Sequence, residues 1–110
     1  MKYLDIVAGV LVTNYVDNNG LALMMVDLEE EEIYGDITVN VGSVPEYSAY
    51  LDTNNMPEIE EFITENEIGF FTGLVKQSGF CTYPLYSFFP SKLKELCPEG
   101  TKEYESLLSR

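Results

Sequence analysis

The sequence predicts an α+β fold: an antiparallel sheet of four or five strands packed by one main helix, with a short C-terminal helix. Three observations lead there. The first half holds three β-rich runs separated by turn signals. A capped amphipathic segment begins near Asn55. The tail from Pro90 opens with a proline suited to a helix start.

The elements follow in order. Asp5 to Val16 is apolar on both alternating sets, which predicts a central strand covered on both faces. Asp17-Asn18-Asn19-Gly20 signals a hairpin, because Asn-Gly accepts the positive φ of a tight turn. Leu21 to Leu28 returns as the second strand. Glu29, Glu30, Glu31 and Glu32 would repel one another inside a strand and belong in a solvated turn. Ile33 to Val41 alternates: Ile33, Gly35, Ile37, Val39 and Val41 face one way, Tyr34, Asp36, Thr38 and Asn40 the other. A short strand at Tyr47 to Leu51 follows the break at Gly42 to Pro45. Asn55 then caps a helix running to about Glu67, with Glu58 as its capping-box partner and Ile59, Phe62 and Ile63 as its core stripe. Gly69 to Gly79 has three glycines and no period, so it reads as a loop. Phe80 to Phe89 reads as a strand that Pro84 confines to an edge or a bulge. A short helix spans Lys92 to Cys97, Pro98-Glu99-Gly100 ends it, and Thr101 to Leu108 adds a last turn or two.

A chain of 110 residues with fourteen aromatics suits one domain, residues 1–110, with a real core. No apolar run reaches the ~20 residues of a membrane span, and Ile6 to Val12 lacks the flanks of a signal peptide. The expected location is cytoplasmic. Cys81 and Cys97 fit it as reduced thiols, their pairing left open.

Charge is the most informative feature. From Tyr3 to Val75 there are fifteen carboxylates and no lysine or arginine, within a formal net charge of -13. Such a field repels nucleic acid and anionic lipid and attracts basic protein surfaces or metal cations. It thus predicts a basic protein partner, with no direct nucleic-acid binding and no membrane partner. Two readings of the acids stand side by side. In one they keep a small protein soluble. In the other Glu29 to Glu32, Asp36, Glu58, Glu61 and Glu65 imitate a phosphate backbone, since acids at alternate strand positions sit ~6.6 Å apart and those one helical turn apart sit ~6 Å apart.

Enzymatic chemistry has little footing. The chain has no histidine, which removes the usual general base and any Ser-His or Cys-His nucleophile. Two cysteines without histidine are too few for a structural zinc site. Asp17 to Gly20 lacks the spaced ligands of an EF-hand and reads better as a hairpin. No metal or cofactor is expected. The aromatic run Ser78 to Phe88 is the remaining candidate: Phe80 and Cys81 are expected mainly in the core, and at least one of Tyr83 and Tyr86 is expected to present its ring to solvent as a partner-binding residue, the outer face being covered by the C-terminal helix or by a partner.

The combination Leu51-Asp52-Thr53-Asn54-Asn55, Pro57, Glu60-Glu61-Phe62, Ser78-Gly79-Phe80-Cys81-Thr82-Tyr83-Pro84 and Tyr86, with Thr38-Val39-Asn40-Val41 before it, resembles a family of small acidic proteins of unknown function from gut bacteria and their mobile elements. The resemblance spans roughly Ala8 to Leu96 and leaves out the last fourteen residues. It implies no catalytic residue. It implies a setting in phage or plasmid biology, where by analogy small acidic proteins inhibit host nucleases. The expectation is a non-enzymatic interaction protein, a nucleic-acid mimic against a basic nucleic-acid-processing protein. The alternative is an accessory domain whose acidity serves solubility alone.

Overall fold

The computed structural model describes residues 1–109. The fold is α+β and antiparallel throughout, with two four-stranded sheets. The first orders β1 (Lys2–Tyr3), β2 (Ile6–Asn14), β3 (Leu21–Asp27) and β4 (Glu32–Asp36) in sequence. The second contains β5 (Thr38–Val39), β6 (Ser48–Leu51), β7 (Gly69–Ser78) and β8 (Cys81–Phe88), ordered β5-β6-β8-β7. Helices α1 (Ile59–Glu65), α2 (Pro90–Leu96) and α3 (Pro98–Leu108) complete it.

Burial corrects the first strand. β2 covers one face only: Ala8, Val10 and Val12 are buried, while Val7 and Leu11 are exposed. The strand covered on both faces is β3, where Leu21, Ala22, Leu23 and Met25 are all buried. The Asn-Gly hairpin forms as expected, with Asn19 supplying the positive φ of 58° and Asn18 Oδ1 accepting from the Gly20 amide at 2.9 Å.

The alternating run Ile33 to Val41 is two strands, because the chain changes sheets at Ile37. The Ile37 amide donates to the Leu23 carbonyl at 2.9 Å in the first sheet, and its carbonyl accepts from the Asp52 amide at 2.9 Å beside the second. Ile37 is wholly buried at this junction, and the expected facing breaks there: Ile33 and Tyr34 are both exposed, while Ile37 and Thr38 are both buried.

Helix α1 starts later than its sequence suggests. Asn55 does not cap it; its amide and side-chain nitrogen instead donate to the Asp52 carboxylate at 3.2 and 3.0 Å, closing a local turn. Pro57 follows, and Glu58 takes φ 62° as the cap residue with no side-chain bond. The stripe Ile59, Phe62 and Ile63 is buried as expected. Each such apolar side chain contributes about 1.5–3 kcal/mol of burial. The helix ends in a Schellman motif: the Glu67 and Ile68 amides donate to the Thr64 and Ile63 carbonyls at 3.1 and 3.0 Å, with Glu67 at φ 54°.

The segment Gly69 to Gly79 is strand β7, not a loop. It has no period because nearly all of it lies in solvent and its pairing with β8 shifts between Phe71 and Val75. Pro84 pairs with Val75 where that irregularity ends, so β8 is an interior strand that accommodates proline beside a bulge. At the C-terminus Pro98 starts an eleven-residue helix, the longest here, rather than ending one. Gly100 lies inside α3 against β2. A Cβ there would fall 2.0 Å from the Val12 carbonyl oxygen, so only glycine allows this approach.

Candidate protein-interaction surface

Among the described residues no cation lies within salt-bridge distance of the acids from Tyr3 to Val75. Among the described residues the salt bridges are Lys92–Glu95 and Lys94–Glu105, both at 3.4 Å and both outside that run. Glu29 to Glu32 and Asp36 are exposed at and after the β3–β4 turn, where Asp27 Oδ1 accepts from the Glu29 and Glu30 amides at 3.1 and 3.2 Å. Glu58, Glu61 and Glu65 are exposed along α1 and share the rim of one hollow with Lys2, Leu4 and Phe62. Edge-to-face rings connect the two regions. Tyr34 of β4 lies 5.8 Å from Tyr3, and Tyr3 lies 5.6 Å from Phe62 of α1.

Glu60 and Glu61 in the first turn suit the positive end of the α1 dipole, but two other features oppose the helix. Glu61 and Glu65 are like charges one turn apart, and α1 has no basic residue in its last turn to meet the negative end of its dipole. Backbone strain adds to this. Glu31, Glu58 and Glu67 all sit at positive φ, where glycine or asparagine is the easy choice.

The aromatic run is arranged opposite to expectation. Phe80 is fully exposed at the tip of the β7–β8 ribbon, and Cys81 is half-buried. Ser78 pairs with Cys81, so Gly79 and Phe80 form a two-residue turn, and Gly79 takes the positive φ of 62° that such a turn needs. Tyr83 and Tyr86 are both buried. Consecutive residues alternate faces, so Tyr83 and Tyr86 lie on opposite sides of β8, and both sides are covered within the chain. Tyr86 packs under α1 and donates to Glu60 Oε1 at 2.8 Å; burial first, then this bond, pushes its hydroxyl up to about 12. Neither tyrosine offers a ring to a partner.

The exposed apolar side chains lie elsewhere: Phe70, Phe71, Leu74 and Val75 on β7, with Phe80 and Phe89 at its ends. The sequence carried the signal, since Gly69 to Phe89 contains one charge, Lys76, and no carboxylate. Both Cys81 and Cys97 are free thiols. No group of metal-ligating side chains is present among the described residues. No helix among them is long and apolar enough to cross a membrane.

A sequence family described as a domain of unknown function, DUF4313, matches residues 10–108. The chain belongs to the DUF4313 family. The match takes in nearly the whole DUF4313 fold described above, from β2 to the end of α3, including the C-terminal helix that the resemblance drawn from sequence motifs had left out. No curated protein and no solved structure matches this DUF4313 chain.

Proposed function

We propose that this DUF4313 domain is a non-enzymatic interaction module whose acidic surface, centred on Glu58, Glu61 and Glu65, engages a basic protein. The observation that carries the reading is the set of fifteen carboxylates between Tyr3 and Val75 with no cation within salt-bridge distance among the described residues. Solubility requires net charge, but it does not require like charges stacked on α1 or glutamates in left-handed backbone. A partner whose lysines and arginines complete those carboxylates gives both features a purpose. A protein that binds nucleic acid presents a basic surface of this kind, and occupation of that surface would inhibit it.

The test is affinity capture from cell extract at low and high salt. The recovered protein should be basic and should be lost as salt rises, because exposed charges are screened over ~8 Å at physiological ionic strength. The domain itself should not bind a plain DNA duplex. Recovery of acidic proteins only, or capture indifferent to salt, would count against the reading.

A further inference from the structure

We propose that strand β7 is a self-association edge through which two copies of this chain pair. β7 is the outer strand of the second sheet, so among the described residues one side of its backbone has no strand partner. β7 spans ten residues, and its longest uninterrupted stretch, Val75 to Ser78, is the part left open at the sheet edge. The exposed apolar side chains lie on both faces of it: Phe70 and Phe71 are consecutive, as are Leu74 and Val75, and consecutive strand residues point to opposite faces. A flat surface docked on one face would leave the other bare. A strand added at the edge shields both.

Charge selects a second copy as that strand. Two molecules of net charge -13 repel across most orientations. The stretch Gly69 to Phe89 is where they can meet with no carboxylate facing a carboxylate. Its one charge is turned onto its own chain: Lys76 Nζ lies over Gly42, 2.5 Å from where a Cβ would stand. A basic partner, by contrast, gains nothing from this edge. Area agrees. Phe70, Phe71, Leu74, Val75, Phe80 and Phe89 are 48, 47, 62, 58, 107 and 41% exposed. At the area such side chains carry, the exposed total is roughly 700 Å² per copy, an upper bound on what pairing hides and of the same order as the ~800 Å² per partner of a standard interface. The irregularity between Phe71 and Val75 interrupts the ladder, so Val75 to Ser78 is the uninterrupted segment available for pairing.

The experiment is sedimentation of the full chain across concentration, at low and high salt. The expected result is a monomer–dimer equilibrium whose dimer fraction rises with salt, as screening relieves the mutual repulsion. This is opposite in sign to the salt dependence of binding a basic partner, so failure of either claim leaves the other standing. Leu74→Glu and Val75→Glu should each raise the dimer dissociation constant at least about tenfold, with the melting of the dilute monomer unchanged. A sole monomeric species at hundreds of micromolar and high salt would overturn the proposal. So would a dimer that both variants leave intact, or one that salt dissolves.

Discussion

The Tyr86 hydroxyl on β8 donates to the Glu60 carboxylate on α1 at 2.8 Å, tying the second sheet to the helix that carries the acidic surface. A tyrosine expected to face a partner therefore holds the site's scaffold in place. Tyr86→Ala should cost about 3–5 kcal/mol, as a buried aromatic truncation, and Tyr86→Phe about 1 kcal/mol for the lost bond. Phe80→Ala should stay within about 0.5 kcal/mol, because its ring touches solvent rather than core. Chemical denaturation of the three variants checks the order.

Alkaline pH should weaken the fold through two tyrosines. The hydrogen bond to Glu105, 2.5 Å long, pushes the Tyr47 hydroxyl up to about 12, and burial with the Glu60 bond does the same for Tyr86. An unfolded chain loses these protons near pH 10. Between about pH 10 and 12 the folded state thus holds more protons than the unfolded, and stability falls as pH rises. The acid side has its own contributor: the Tyr47 hydroxyl, and then Lys94, hold the Glu105 carboxyl below its usual range. That contribution is present above the unfolded carboxylate range and disappears as pH falls through the folded value. Stability curves of wild type and Tyr47→Phe should converge at both extremes; parallel curves would remove this pair from the account.

Glu67→Gly and Glu31→Gly should each stabilise the domain by about 1 kcal/mol, since both replace a left-handed glutamate with the residue that conformation favours. Thermal melts decide it. Destabilisation would mean that the glutamate side chains contribute to the fold and that no strain is held there.

The sequence was legible where local chemistry acts alone. The Asn19-Gly20 hairpin, the exposed turn at Glu29 to Glu32 and the stripe Ile59, Phe62 and Ile63 follow from turn preference, like-charge repulsion and helical period. It misled where long-range pairing overrides those signals. β7 has no period of its own and exists through β8. The alternation of Ile33 to Val41 is real in sequence, yet Ile37 hands the chain from one sheet to the other. Gly100 looks like a helix stop until α3 lies against the Val12 carbonyl. Phe80 looks like core until the two-residue turn at Gly79 places it at a tip. Glu58, Glu61 and Glu65 lie three and four positions apart in sequence, and the structure sets them on the rim of one hollow with Lys2.

On the proposed reading the position of the acids matters, not only their number. The direct measurement is titration of the captured basic partner against two triple variants of equal charge, Glu58, Glu61 and Glu65 to glutamine on α1, and Glu95, Glu99 and Glu103 to glutamine on α2 and α3. The α1 variant should weaken binding by at least about tenfold, or about 1.4 kcal/mol, more than the other. Equal weakening by both would show that net charge alone attracts the partner, and would contradict that reading.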